Sequence, residues 1–255
     1  MSELKLRPPK PRSFSASRWN AKRSGAEKPP ARRNALHFQG TECAYDRTGC
    51  QASKAVYPGH SNLEMADLLG TLLRHEIKVL CDVRSRPGSF RYPQFNREPL
   101  EARLTAAKIR YEFFGEQLGG RPLDPHYYLP NGLVDYAGRR KAPDFLEAVD
   151  RAIIRAREAP TAILCAEEDP LYCHRFLLIC PTLVQKGALP LHLRRGGVIE
   201  SQRDAEDRLL QSHGFADVTS DSLFAQGREA ALEDALRLQA EQYAFRTSPE
   251  AIEYF

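Results

Sequence analysis

No apolar run in these 255 residues approaches the roughly 20 needed to cross a bilayer. The first residues also lack the apolar core of a secretory signal. Cysteines number six and are irregularly spaced, which does not make a disulfide framework. Without an export signal, reduced thiols and a cytoplasmic location are expected. The close-set cysteine pairs of structural zinc sites are missing too. Cys43 and Cys50 have six residues between them, with His37 nearby, and are not read as a metal site. There is no internal repeat. Membrane, disulfide-stapled and repeat architectures are thereby set aside. What remains is the composition of a soluble globular chain, 42% hydrophobic and 27% charged, long enough for one domain with extensions or for two small domains.

The net charge of +4 is unevenly spread. Residues 1–35 hold ten basic side chains against Glu3 and Glu27, so this segment is +8 and the rest of the chain −4. The segment is rich in Pro, Ser, Arg and Lys and has hardly any apolar periodicity. Such a stretch cannot bury enough surface to offset its ordering entropy, and disorder is expected. The plain reading is a solubilising tail. The sharper one is an arm for nucleic acid or an acidic partner, for which only Phe14 and Trp19 offer stacking surfaces. Glu3, Glu27 and the prolines speak against a transit peptide.

Regular patterning begins at Lys54 and suggests three parts: a basic extension over 1–53, an α/β domain over 54–197, and a helical extension over 198–255 packed on that domain. Short strands are expected at 54–58, 77–83, 110–114, 161–165 and 189–193. Helices are expected behind Ser61, with Ser61 and Glu64 as a capping box and Leu63, Ala66, Leu69 or Gly70, Leu73 and Ile77 on one face, and at 98–108, 143–157, 171–187, 201–212 and 227–245. Pro181 should kink the helix at 171–187. Residues 122–141 read as a long loop or short helical pieces. Alternation of strand and helix predicts a parallel sheet flanked by helices on both faces, a Rossmann-like three-layer α/β fold. Strand carboxyl ends then share one edge, where ligands bind near a switch in strand order.

His60-Ser61, Asp82-Arg84, Gly119-Gly120-Arg121 and Cys165-Glu167 all follow strand ends. Arg84, Arg86, Arg91, Arg121 and Arg175 are assigned to loops or helix starts on this edge, and arginine's planar fork suits phosphate or carboxylate. A helix starting near Leu171 would add its dipole. The bland alternative is that these arginines pair with Asp82, Glu167 and Glu168. Asp82 could bind a ligand hydroxyl or only fix Arg84.

Two thiols belong to the same edge. Cys165 ends a buried strand, where inert structural thiols are common. Cys173 is expected in a first helical turn beside His174 and Arg175, which would lower its pKa, and is the better nucleophile candidate. Glu167 could act as general acid or base. Adjacent Cys and His side chains do not easily aim at one point, so no metal is expected from Cys165, Cys173 and His174. Cys81 and Cys180 fall on apolar faces and are read as inert.

Gly59-His-Ser61, Leu80-Cys-Asp-Val-Arg-Ser-Arg-Pro87, Pro93-Gln-Phe-Asn96, Leu118-Gly-Gly-Arg121 and Leu164-Cys-Ala-Glu-Glu-Asp-Pro-Leu-Tyr-Cys-His-Arg175 resemble the DUF488 family, a domain of unknown function. The resemblance spans 55 to about 195, and the helical tail is weakly similar. It implies an α/β fold and a shared site built from Ser61, Asp82, Arg84, Ser85, Glu167, Cys173, His174 and Arg175. It brings no established reaction and no cofactor. Tyr57-Pro58 and Pro181 depart from the family's pattern.

Three functions fit the residues. The first is an enzyme acting on a phosphorylated, nucleotide or nucleic-acid substrate. The second is a non-catalytic nucleotide or nucleic-acid binder. The third is thiol or sulfur-transfer chemistry, on a short similarity of Asp82-Val-Arg84 to sulfurtransferases. The expected partner is an anionic small molecule or nucleic acid, and not a membrane.

Overall fold

The computed structural model describes residues 55–59, 63–215 and 225–248. The expectations for residues 1–53, His60, Ser61 and the stretch around Phe224 fall outside them. Among the described residues no helix is long and apolar enough to cross a membrane.

Six strands form one sheet: β1 (Ala55–Pro58), β2 (Val79–Asp82), β3 (Arg110–Phe113), β4 (Thr161–Leu164), β5 (Leu191–Leu193) and β6 (Ile199–Ser201). Their order is β3-β2-β4-β1-β5-β6. The first five run parallel, and β6 pairs antiparallel with β5. Sequence patterning did not find β6, whose three residues are too short to show a period.

Side chains alternate across the central strands, as the two-residue repeat of a pleated sheet requires. Val79, Cys81, Val83, Ile163 and Cys165 enter one apolar cluster. Leu80, Ala162 and Leu164 enter another. The first cluster is completed by α5 (Pro143–Glu158), α6 (Cys180–Gln185), α7 (Gln202–Ser212) and α8 (Ala225–Tyr243). The second is completed by Leu68 and Leu72 of α1 (Met65–Arg74) and by Leu100 and Leu104 of α2 (Arg97–Ala106). Short helices α3 (Gly115–Leu118) and α4 (Tyr136–Arg139) lie between β3 and α5.

Two helical expectations are corrected. Helix α1 starts at Met65 with Glu64 as its N-cap, without a side-chain capping bond, so Glu64 is not the third residue of a capping box. Its buried stripe is accordingly Leu68 and Leu72, and Leu73 is 55% exposed. The helix expected over 171–187 is broken. Asp169 accepts from Leu171 N–H and caps a 3-10 turn over Pro170–Tyr172. Cys173 is extended, with φ −128° and ψ 140°. A π-helical turn over Arg175–Ile179 follows, and only then α6. Pro181 has no N–H to give the carbonyl four residues earlier, that of Leu177. The Arg140 guanidinium donates to that oxygen instead, at 3.3 Å.

Candidate functional site

The connection after β2 leads to α2 and the second apolar cluster, whereas the one after β4 leads to α6 and the first. Adjacent parallel strands whose continuations part to opposite faces leave a crevice at their carboxyl ends. Val83 and Cys165 stand at that point. A cleft of about 610 Å³ opens there, with Arg84, Ser85, Arg86, Arg121, Cys165, Glu167 and His174 in its wall.

Beyond the last pairing of the sheet, the Val83 carbonyl has no strand partner and meets His174 Nε2 at 2.9 Å. A carbonyl can only accept, so Nε2 carries hydrogen, and Nδ1 is the nitrogen facing Cys165 Sγ, at 3.4 Å. On its other side Cys165 Sγ lies 3.1 Å from Glu167 Oε2. Cys173 Sγ accepts from Arg175 N–H at 3.5 Å. One donor atom each from Cys165, Glu167, Cys173 and His174 lies within 4.8 Å of the others. The expectation that adjacent Cys173 and His174 would diverge is therefore corrected. An extended Cys173 followed by a helical His174 turns both side chains toward one point.

Local electrostatics favour charge on two of these groups. Burial pushes the Glu167 carboxyl up, but the Cys165 thiol and the His174 charge outweigh it and hold the carboxyl below its ordinary value. Burial lowers His174, and its contacts with Cys173, Glu167 and Val83 more than restore it, so its pKa is raised. Cys173 goes the opposite way from the sequence expectation. It is buried and sits in no helical first turn, and burial with the neighbouring Cys165 raises its pKa well above that of a free thiol. Cys165, rather than Cys173, lines the cleft. Cys81 and Cys180 are fully buried.

The arginines divide into two kinds. Arg84 grips Asp82 through Nε (2.9 Å) and Nη2 (2.6 Å) and donates from Nη1 to the Phe95 carbonyl (2.8 Å). Asp82 is wholly buried and also accepts from Tyr111 OH and Arg84 N–H, so it fixes Arg84 and does not face the cleft. Arg175 is also wholly buried and donates to the carbonyls of Glu167 and Glu168, pinning the loop that carries the carboxylate. Arg86 and Arg121 are exposed in the cleft wall. Arg91 lies outside that wall, against Tyr92. Glu168 is held by Arg194, which sets aside its pairing with the site arginines.

Glycine permits two close approaches. A Cβ on Gly59 would lie 1.7 Å from the Glu167 carbonyl, and one on Gly120 would lie 2.8 Å from His174 Cβ. Ser85 Oγ accepts from Arg121 N–H at 2.9 Å, holding the Gly119-Gly120 segment of the wall in place. Sequence reasoning missed the opposite wall. Tyr243, Phe245 and Arg246, from the end of α8 and just beyond it, also line the cleft, with Tyr243 packed on Tyr172 and the Arg121 guanidinium on Phe245. The only signal was the aromatic-arginine run Tyr243-Ala-Phe-Arg246 at a helix end.

Fold and site together define a parallel α/β protein with a thiol-imidazole-carboxylate cluster in a crevice at the strand carboxyl ends. Residues 64–180 match the model of DUF488, a domain of unknown function, and the matched segment contains all four residues of the cluster. Comparison with curated proteins and with solved structures returns no match.

Proposed function

We propose that the protein is an enzyme of the three-layer, Rossmann-like type that acts on a phosphorylated or nucleotide-like ligand in the cleft between β2 and β4. Helices contributing to apolar clusters on both faces of the sheet support the layered reading. The observation that carries the function is the pairing of charge with reactive groups in one cavity. Arg86, Arg121 and Arg246 are exposed guanidiniums in its wall, against the single carboxylate of Glu167. Exposed arginines are suited to the oxygens of a phosphate. Tyr172 and Tyr243, 4.6 Å apart and each nearly half exposed, offer a stacking surface for a base at the rim. The ligand's reacting end would then meet Cys165 and Glu167. The C-terminal helical segment acts in this reading as an extension that completes the pocket.

The test is thermal stabilisation of the full chain by a panel of nucleotides and phosphorylated metabolites, with native mass spectrometry for any ligand retained on purification. A ligand at 100 times its Kd should stabilise by about 2.7 kcal/mol. Arg86→Ala and Arg121→Ala should weaken that response, and Cys165→Ala should remove turnover while sparing binding. Binding that survives both arginine changes overturns the proposal. Binding without turnover favours a non-catalytic binder. Affinity confined to nucleic acid, steeply salt-dependent and lost on deletion of residues 1–35, would move the ligand site to the basic segment.

A further inference from the structure

We infer that Cys165, Cys173, His174 and Glu167 form a binding site for a tetrahedral divalent cation, zinc by the chemistry of its donors. The inference rests on the reading that this cleft is the functional site, and adds a resident ion to it. Two thiolates, an imidazole and a carboxylate are the donor types zinc takes, and soft sulfur donors select it over calcium or magnesium. Zinc bonds of about 2.0–2.3 Å at tetrahedral angles put neighbouring donor atoms about 3.3–3.8 Å apart. The observed separations are 3.1 Å for Cys165 to Glu167 and 3.4 Å for Cys165 to His174, with all four donors inside 4.8 Å. The two short separations need to open by a few tenths of an ångström at most, and the longest to contract by no more than about 1 Å, to close the tetrahedron.

The surroundings are built for such an ion. His174 donates its remote nitrogen to the Val83 carbonyl, which fixes the ring and leaves Nδ1 as the free donor. An outer partner of this kind is usual for metal-binding histidines. The Arg175 N–H points at Cys173 Sγ. The Arg175 guanidinium is wholly buried and donates to two carbonyls, and its Nε has no acceptor among the described residues. A buried cation calls for compensating negative charge nearby. Two thiolates, one carboxylate and one Zn²⁺ sum to −1, which matches it.

Cys165 and Cys173 are buried and His174 is half-buried, whereas Glu167 is the most exposed of the four. Zinc sites that do chemistry keep three protein donors and one exchangeable position. Glu167 holds the position that opens to the cleft, so an oxygen of an anionic ligand could replace it. Arg86 and Arg121 would stand beside that oxygen.

Full-length protein purified under reducing conditions is expected to carry one zinc per chain by native mass spectrometry. Cys165→Ser and Cys173→Ser should each lose it, and a Cys43→Ser/Cys50→Ser double variant should keep it. Cobalt(II) added to the zinc-free chain should give the intense visible bands of tetrahedral coordination and a thiolate charge-transfer band. Where Cys173→Ser does not fold, Glu167→Gln, which alters an exposed side chain, carries the test. Its zinc affinity should fall by at least the roughly 10–100-fold that loss of an outer partner costs. Zinc retained by the Cys165 and Cys173 variants overturns the inference. So do octahedral cobalt, failure to bind either ion stoichiometrically, or a Cys165–Cys173 disulfide in freshly reduced protein. The two readings fail separately: zinc without any response to phosphorylated ligands refutes the anion reading alone, and binding of a phosphorylated ligand by wild-type protein that takes up neither zinc nor cobalt refutes the metal alone.

Discussion

His192 on β5 makes the stability of the fold depend on pH in a way that can be worked out in advance. Its ring is wholly buried, packs on Phe176 with centroids 5.7 Å apart, and shares a 2.9 Å hydrogen bond with Gln202 Oε1. Burial first, and the Arg175 charge second, push its pKa down from 6.5 to about 4. The folded protein therefore keeps this ring neutral at pH values where the unfolded chain protonates it. Above pH 6.5 neither state binds the proton and there is no effect. Between 6.5 and about 4 the unfolded chain binds more protons, so stability falls as pH falls. Below about 4 both states are protonated and the loss is complete. At about 1.4 kcal/mol per pH unit the full loss is about 3 kcal/mol, a large part of the roughly 5–15 kcal/mol that holds a domain together.

His192→Gln removes the titration and keeps a donor for Gln202. Carboxylates and the other histidines titrate in the same range, so the readout is the difference between wild type and variant. Guanidinium unfolding at pH 7.5, 6, 5 and 4 should show the wild type losing about 3 kcal/mol relative to His192→Gln across that interval. Parallel pH profiles for the two proteins would refute the reasoning. They would mean that the ring is hydrated or that the Arg175 charge does not reach it.

Two further substitutions probe the walls of the site. Gly59→Ala forces a Cβ to within 1.7 Å of the Glu167 carbonyl, and should destabilise by about 1–3 kcal/mol in denaturant unfolding while displacing the Glu167 loop. A stability unchanged within error would show that β1 and this loop do not approach as described. Asp82→Ala takes from Arg84 the carboxylate that accepts both its Nε and its Nη2, and should cost about 3 kcal/mol, because a buried charge loses its counter-ion. Asp82→Asn, which retains one accepting oxygen, should cost less, and equal losses for the two would show that charge is not what matters.

Much of the fold was legible because its driving signals are local. The apolar run of β2, the spacing of Phe145, Val149 and Ile153 in α5, and the strand before Cys165 each state their own conformation. The placement of His174, Cys165, Arg86 and Arg121 on one edge followed from parallel topology rather than from any neighbouring residue. Exposure of the arginines was not legible. Five guanidiniums look alike in sequence, but Arg84 finds a buried carboxylate and Arg175 two buried carbonyls, and only contacts from distant segments decide this. The far wall of the cleft was lost for the same reason, since Tyr243 and Arg246 reach it from the end of the chain.

The two thiols show where reading by period breaks down. A helix over 171–187 would have put Cys173 in a first turn, with its pKa lowered by the dipole and His174 carried about 100° away around the axis. Asp169 and Pro170 make a 3-10 turn instead, and the missing N–H of Pro181 removes one rung from the helix that follows. The backbone between them is left extended at Cys173, helical at His174 and π-wound after Arg175. That irregular passage, disfavoured by every local rule, buries one thiol and turns the imidazole back toward the other. A π-turn inside an otherwise helical run is a recurrent mark of a functional position. Here it stands directly after the Cys-His pair, so the break in regularity and the convergence of four donor groups have one structural cause.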